Sequence, residues 1–286
     1  MKILITGGAG LLGYELVKLI SSQGNYAYPF DLSNATWKNI QDLCGVNVVV
    51  GDVTDKNQIS EACRGVDCVI HLAALLPPKS EVDKSVTMKV NVEGTLNILR
   101  ALKSLSNVPI IFASSISTYG ITAEEELPIN EEHPSCAHDF YSKSKIEAER
   151  LIRDSGIHHV ILRVAPIAVS DIVELPDTIP YRADQRVEFV SETNAACALF
   201  EAASNPRALG KTLNIAGGPS WQMTGAEYIR SFYNALGVDV DSVFSEEYTA
   251  LDWYDTSRSR FLGYQRTNFN DFLNRLKVLG EALGLR

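Results

Sequence analysis

Lys2-Ile3-Leu4-Ile5-Thr6-Gly7-Gly8-Ala9-Gly10-Leu11-Leu12-Gly13 is the stretch from which the rest of the chain can be read. KILIT, residues 2–6, is a short apolar run that reads as a buried strand, and the apolar spacing of residues 11–20 reads as an amphipathic helix. Gly7, Gly10 and Gly13 stand between them, in the strand–turn–helix context that gives such glycines meaning. The first allows a tight turn, the second lets backbone approach a pyrophosphate, and the third lets helix pack close to strand. The helix start would then point unpaired N–H groups at phosphate. A plain glycine-rich turn is the alternative, and the residues that follow argue against it.

Working outward, residues 26–30, 46–50, 68–71, 109–113 and 159–163 read as further strands. Helical or turn patterns separate them, including a long helical stretch at 82–105 and a helix at 140–154. Alternation of this kind predicts an α/β fold, a Rossmann-like doubly wound parallel sheet with right-handed crossovers. After Pro166 the alternation fades, with helices near 193–203 and 224–236, a strand at 212–215 and a last helix from about residue 268. The expected division is a cofactor-binding domain at 1–165, with a strand and helix added from 187–216, and a small, mostly helical substrate cap at 166–286.

Asp31 ends the second strand, close to the roughly 20-residue distance at which an acid reaches a ribose 2′-hydroxyl. Its carboxylate would repel a 2′-phosphate, and no Arg or Lys follows before Lys38, so NAD is expected rather than NADP. Gly51-Asp52-Val53 follows the third strand where an adenine would lie; Asp52 would accept the exocyclic amine or serve only as a cap.

Tyr141 and Lys145 stand at i and i+4 and share a helix face. A free phenol titrates near pH 10, and a neighbouring cation favours its phenolate, so Tyr141 would exchange a proton with a substrate hydroxyl. Spacing alone proves little, because Tyr14 and Lys18 repeat it on the first helix, where we read surface packing. The strand ending Phe112-Ala113-Ser114-Ser115 distinguishes Tyr141: hydroxyls at that carboxyl edge lie where open α/β sheets place ligands.

The set TGGAGLLG (6–13), Asp31, GDVTD (51–55), IHLAA (70–74), NVEGTLNIL (91–99), FASSISTYG (112–120) and YSKSK (141–145) resembles the extended short-chain dehydrogenase/reductase superfamily, in its NAD-dependent epimerase/dehydratase group. The likeness covers residues 2 to about 165 and resumes loosely at VEFV (187–190), LNIAGG (213–218) and 253–264. It implies that Leu11 and Leu12 offer N–H groups to the pyrophosphate, and that Leu72, Ala73 and Ala74 line the adenosine and ribose side. It places Asn91 behind the nicotinamide, organising the lysine through water. It implies Ser115, four residues before Tyr119, as the hydroxyl that binds the substrate oxygen, with Ser114 as fallback. Lys145 would also hold the nicotinamide ribose.

Sugar dehydratases of that group carry an Asp-Glu pair where this chain has Ile116 and Ser117, which disfavours elimination of water. Epimerisation, or oxidation and reduction, of a secondary hydroxyl on a sugar or sugar derivative is expected. The short segment between 163 and 187, with Pro166 where nucleotide-sugar epimerases have Asn, leaves open a dehydrogenase of a free sugar acid. Arg182 and Arg186 lie there, either holding an anionic substrate group or sitting as surface charges. An NAD-binding sensor without turnover is the reading from another class.

A net charge of −9 argues against nucleic acid or an anionic membrane as the main partner. No segment reads as a membrane span or a signal peptide, and the expected location is cytoplasmic. The five cysteines show no CxxC pair, His158 and His159 are adjacent, and no metal is expected. Helices at about 82–105 and 139–155 build dimers in similar proteins, so a homodimer is expected.

Overall fold

The computed structural model describes residues 1–286 apart from 38, 39, 106, 171–175, 240 and 286. Seven strands form one all-parallel sheet: β1 (Lys2–Thr6), β2 (Tyr26–Asp31), β3 (Val49–Val50), β4 (Cys68–His71), β5 (Ile110–Ser115), β6 (His159–Val164) and β7 (Thr212–Ile215). Their order across the sheet is β7-β6-β5-β4-β1-β2-β3, so the winding reverses between β1 and β4. Ligands of such sheets bind at this switch point, outside the carboxyl ends of the strands.

Alternation along the strands explains the two helical layers. Ile3 and Ile5 face one side, packed with Leu16, Val17 and Ile20 of α1 (Leu11–Ser22) and with Ala195 and Leu199 of α6 (Glu192–Ser204). Leu4 faces the other, in a core with Ile59 of α2 (Lys56–Ala62), Ile98 and Leu102 of α4 (Gly94–Lys103), and Ala148 and Ile152 of α5 (Phe140–Asp154). Each buried Ile or Leu contributes about 1.5–3 kcal/mol.

Two expectations change. The strand at 46–50 shrinks to Val49–Val50, paired with Phe30 and Asp31, with an isolated bridge between Ala27 and Val46. The helix at 82–105 is interrupted: α3 (Lys84–Met88) runs into a π-helical turn, Lys89–Glu93, before α4. That wider turn carries Asn91.

Beyond residue 165, α6 packs against α1 and β7 against β6, so both lie in the sheet core. The remainder holds α7 (Gly225–Leu236), α8 (Phe269–Ala282) and three two-residue ladders. Residues 171–175 of this segment, and Lys38 after Asp31, lie outside the described residues. Trp221, Phe269 and Phe272 form its aromatic core, with Trp221 5.1 Å from Phe269 and 5.2 Å from Phe272 between ring centres. Among the described residues no helix is long and apolar enough to cross a membrane.

Candidate active site

A cleft of about 760 Å³ opens at the switch point. Gly7, Gly10, Leu11, Leu12 and Gly13 form one end of its lining, with Asp31, Asp52, Val53, Leu72, Ala73 and Ala74 along it and Ser115, Tyr141 and Lys145 at the other end. Of the residues expected to be catalytic or to hold the cofactor, Asn91 alone does not line it.

The glycine end is built by close approach. Gly7 has φ +74°, and a Cβ there would stand 2.8 Å from the amide nitrogen of Ala73; a Cβ on Gly13 would stand 2.3 Å from the carbonyl oxygen of Gly7. No side chain caps α1, whose N-cap is Gly10, so its first-turn N–H groups face the cleft as donors for an anion. Asp31 accepts from Ala9 N at 3.0 Å and from Leu32 N at 2.9 Å, which aims its carboxylate across the cleft with lone pairs to spare. Uncapped donors, a loop too tight for a Cβ and an acid one strand away suit a dinucleotide of the NAD type. Asp52 lines the cleft and accepts from Thr54 N at 2.8 Å within the turn, while the cap of α2 is Asp55, which accepts from Asn57 N and Gln58 N.

A buried polar chain fixes the wall at residues 71–74. Burial, then the charge of Lys145, hold His71 down at about 3, so its imidazole is neutral. Thr95 Oγ1 donates to Asn91 O, which leaves it to accept from His71 Nε2–H at 2.9 Å. His71 Nδ1 then accepts from Thr6 Oγ1 at 2.6 Å, and Thr6 Oγ1 accepts from Ala73 N.

At the other end the two serines separate. Ser114 is buried and donates to Glu149 Oε1 at 2.5 Å, in a network where Arg163 also donates to Glu149 through Nε and Nη2. Burial pulls Glu149 upward, yet the bonds from Arg163 and Ser114 hold its carboxyl below the usual range. Ser115 turns into the cleft, where its Oγ accepts from Ser117 N at 3.1 Å and is hydrogen-bonded to the hydroxyl of Tyr141. Ser114 also lines the cleft, but its hydroxyl is committed to Glu149, which leaves that of Ser115 as the one turned toward Tyr141.

Lys145 is buried, donates to Ala113 O at 2.8 Å, and sits 5.7 Å from the centre of the Tyr141 ring and 4.7 Å from that of Phe112. Burial brings Lys145 down to about 8, against the pull of Glu149. Burial pushes Tyr141 up to about 12; the bond from Ser115 favours the phenolate and the charge of Asp139 opposes it. Tyr141 stands protonated at neutral pH.

Asn91 stands behind this wall. Its amide accepts from Leu75 N at 2.7 Å and donates to Leu75 O at 3.1 Å and to Ser144 Oγ at 2.9 Å. Asn91 thus braces the cleft wall and ties it to Ser144, the neighbour of Lys145 in sequence. Arg186 is likewise committed, donating to both oxygens of Asp252 at 2.6 and 2.9 Å, and Arg182 pairs with Asp184. Neither lines the cleft. Tyr14 and Lys18 also lie outside it, with Lys18 over the Tyr14 ring and paired to Glu15.

Sequence reasoning missed Glu81, which accepts from Phe140 N and Tyr141 N across 59 and 60 residues. It missed Ala250, which lines the cleft together with Ser117 and Pro166. A cap signal, Asp before the helix, was available for Asp139; nothing local signals Glu81 or Ala250.

The model of the 3-beta hydroxysteroid dehydrogenase/isomerase family matches residues 4–160. A UDP-glucose 4-epimerase of Azospirillum brasilense is 29% identical over 177 residues, which cover 59% of this chain and 50% of that protein. A D-erythronate dehydrogenase of Cupriavidus necator is 32% identical over 130 residues, 42% of this chain and 40% of that protein. The chain thus spans about half the length, or less, of these relatives. The fold is that of a UDP-glucose-4-epimerase from Stenotrophomonas maltophila solved with NAD and formylated UDP-arabinopyranose, with TM-score 0.85, 22% identity and 99% of each chain covered.

Proposed function

Since the chain belongs to the 3-beta hydroxysteroid dehydrogenase/isomerase family, within the extended short-chain dehydrogenase/reductase superfamily, we propose that it is an NAD-dependent epimerase or dehydrogenase acting on a secondary hydroxyl of a sugar derivative. One observation carries the reading: Ser115, Tyr141 and Lys145 converge in the same cleft as an uncapped glycine-loop helix and Asp31.

NAD would be held by the N–H groups of the Gly10–Leu12 turn and by Asp31, with Leu72, Ala73 and Ala74 along one wall. Bound there, it supplies the hydride acceptor or donor. Ser115 then hydrogen-bonds the substrate oxygen. Tyr141 transfers the proton: as a protonated phenol it is ready to act as an acid toward a carbonyl. In the oxidative direction it must first lose its proton, which a positive charge nearby favours. Lys145, near its neutral point at about 8, passes that proton onward. Asp31 supports NAD over NADP by repelling a 2′-phosphate.

The second reading, a dehydrogenase of a free sugar acid, is favoured by the likeness to the D-erythronate dehydrogenase. The segment after residue 165, apart from α6 and β7, is proposed as the substrate cap. A homodimer through α4 and α5, measurable by light scattering, is proposed with it.

The test incubates the protein and NAD with UDP-sugars, free sugars, sugar acids and secondary alcohols. Sugar isomerisation without net NADH supports the epimerase, and net NADH the dehydrogenase. Bound NAD with neither outcome points to a sensor. Tyr141→Phe is expected to abolish turnover and keep NAD binding; loss of binding would make the phenol structural.

A further inference from the structure

We propose that Glu81 is a positioning residue, clamping the backbone of Tyr141 and tying it to the cleft wall at residues 75–77. The inference rests on the reading of Tyr141 as the proton-handling group.

The first N–H groups of a helix have no partner inside it and are ordinarily capped from the residues just before it. In α5 the local cap does part of this: Asp139 accepts from Ser142 N at 2.6 Å. The remaining donors, Phe140 N and Tyr141 N, go to a carboxylate far away in sequence, Oε2 of Glu81 at 2.8 Å and Oε1 at 3.1 Å. A carboxylate at the positive end of a helix is favoured by the aligned peptide dipoles, and the two-oxygen fork fixes the angle as well as the distance.

Glu81 is itself held. Ser80 Oγ donates to its Oε1 at 2.7 Å, and Ser80, fully buried, accepts through its carbonyl from Thr87 Oγ1 at 2.6 Å. Ser80 N donates to Leu76 O at 3.0 Å, and Leu76 lines the cleft beside Leu75 and Pro77. A second route meets the other backbone group of the same residue. Asn91 brackets Leu75 and donates to Ser144 Oγ, which donates to Tyr141 O at 2.7 Å. The N–H and C=O of Tyr141 are thus both anchored to the segment that walls the substrate end. Seating of substrate against Leu75–Pro77 and the height of the phenol over the reacting carbon become one mechanical variable.

The test labels tyrosine at Cζ with carbon-13 and assigns Tyr141 by loss of its signal in Tyr141→Phe. In Glu81→Ala the Tyr141 resonance is expected to shift or split, with or without NAD. Asp83→Ala, which removes the N-cap of α3 in the same segment, should leave it in place. On any compound the wild type turns over, Glu81→Ala lowers kcat roughly tenfold to a hundredfold, with KM for NAD within about twofold, because misplacement acts on the reacting geometry. Should Glu81→Ala fail to fold, Glu81→Gln carries the test, since its amide can accept from one N–H and turns a donor toward the other. An unmoved Tyr141 resonance, or a fall in melting temperature with kcat unchanged, overturns the proposal. If the wild type turns over nothing, the enzymatic reading fails by itself and the resonance still decides the clamp.

Discussion

Asn91 brackets the peptide of Leu75, accepting its N–H at 2.7 Å and donating to its carbonyl at 3.1 Å. This is the pairing a neighbouring strand would supply, made instead by one amide on the π-helical turn. Asn91→Asp keeps the acceptor and removes the donor. Leu75 O and Ser144 Oγ would then face an oxygen, at about 1–3 kcal/mol for each buried group left unsatisfied. The variant is expected to melt several degrees lower and to bind NAD more weakly, by thermal shift and calorimetry. Wild-type values in both would show that the bracket supports nothing.

The two serines of β5 should part company under mutation. Ser115→Ala removes a hydroxyl facing the cleft and is expected to cost roughly a hundredfold or more in turnover, with the melting point unchanged. Ser114→Ala removes a donor to Glu149 and is expected to cost about 1 kcal/mol of stability while most activity survives. Reversed phenotypes in steady-state assays and melting curves would mean that the strand register is misread.

What could be read from the chain was what local periodicity encodes. Strands 2–6 and 68–71 and the helix at 140–154 match to the residue, because each carries its own alternation or its own cap. The glycine loop and Asp31 were legible because one β-α-β unit contains them all. Glu81 was not, since its partners lie 59 and 60 residues on and a surface Glu in a short turn carries no pattern. Arg186 was misjudged for the same reason: its partner Asp252 is 66 residues away, and sequence offered only a free cation near the cap. The π turn escaped because its apolar spacing looks helical throughout.

Asp31 is proposed to set the cofactor preference through charge, and charge can be removed with little change of shape. Asp31→Asn retains one oxygen for the loop N–H of Ala9 or Leu32. The loss of a charged acceptor for the ribose, about 1.5–3 kcal/mol, corresponds to roughly tenfold or more in NAD affinity. NADP should weaken less or gain, since the repulsion of its 2′-phosphate is gone. Titrations of both cofactors giving the wild-type ratio would remove Asp31 from the ribose site.

Lys145 is kept at a cost to stability, and the pH dependence of that cost is predictable. Burial lowers it from 10.5 to about 8, so below pH 8 the folded chain holds an ammonium that is easier to carry unfolded. The penalty is about 3 kcal/mol there, at 1.36 kcal/mol per pKa unit. Between pH 8 and 10.5 the unfolded chain binds the proton and the folded chain does not, so this group makes stability rise with pH, and above 10.5 the penalty vanishes. Lys145→Met removes the charge and gives up one bond to Ala113 O, worth about 1 kcal/mol. At pH 7 the variant is therefore expected to be more resistant to denaturant than the wild type while turning over nothing. Near pH 10 its advantage should shrink to zero or reverse. Equal destabilisation at both pH values would mean that the ammonium is comfortably solvated and is not the tuned proton carrier inferred above.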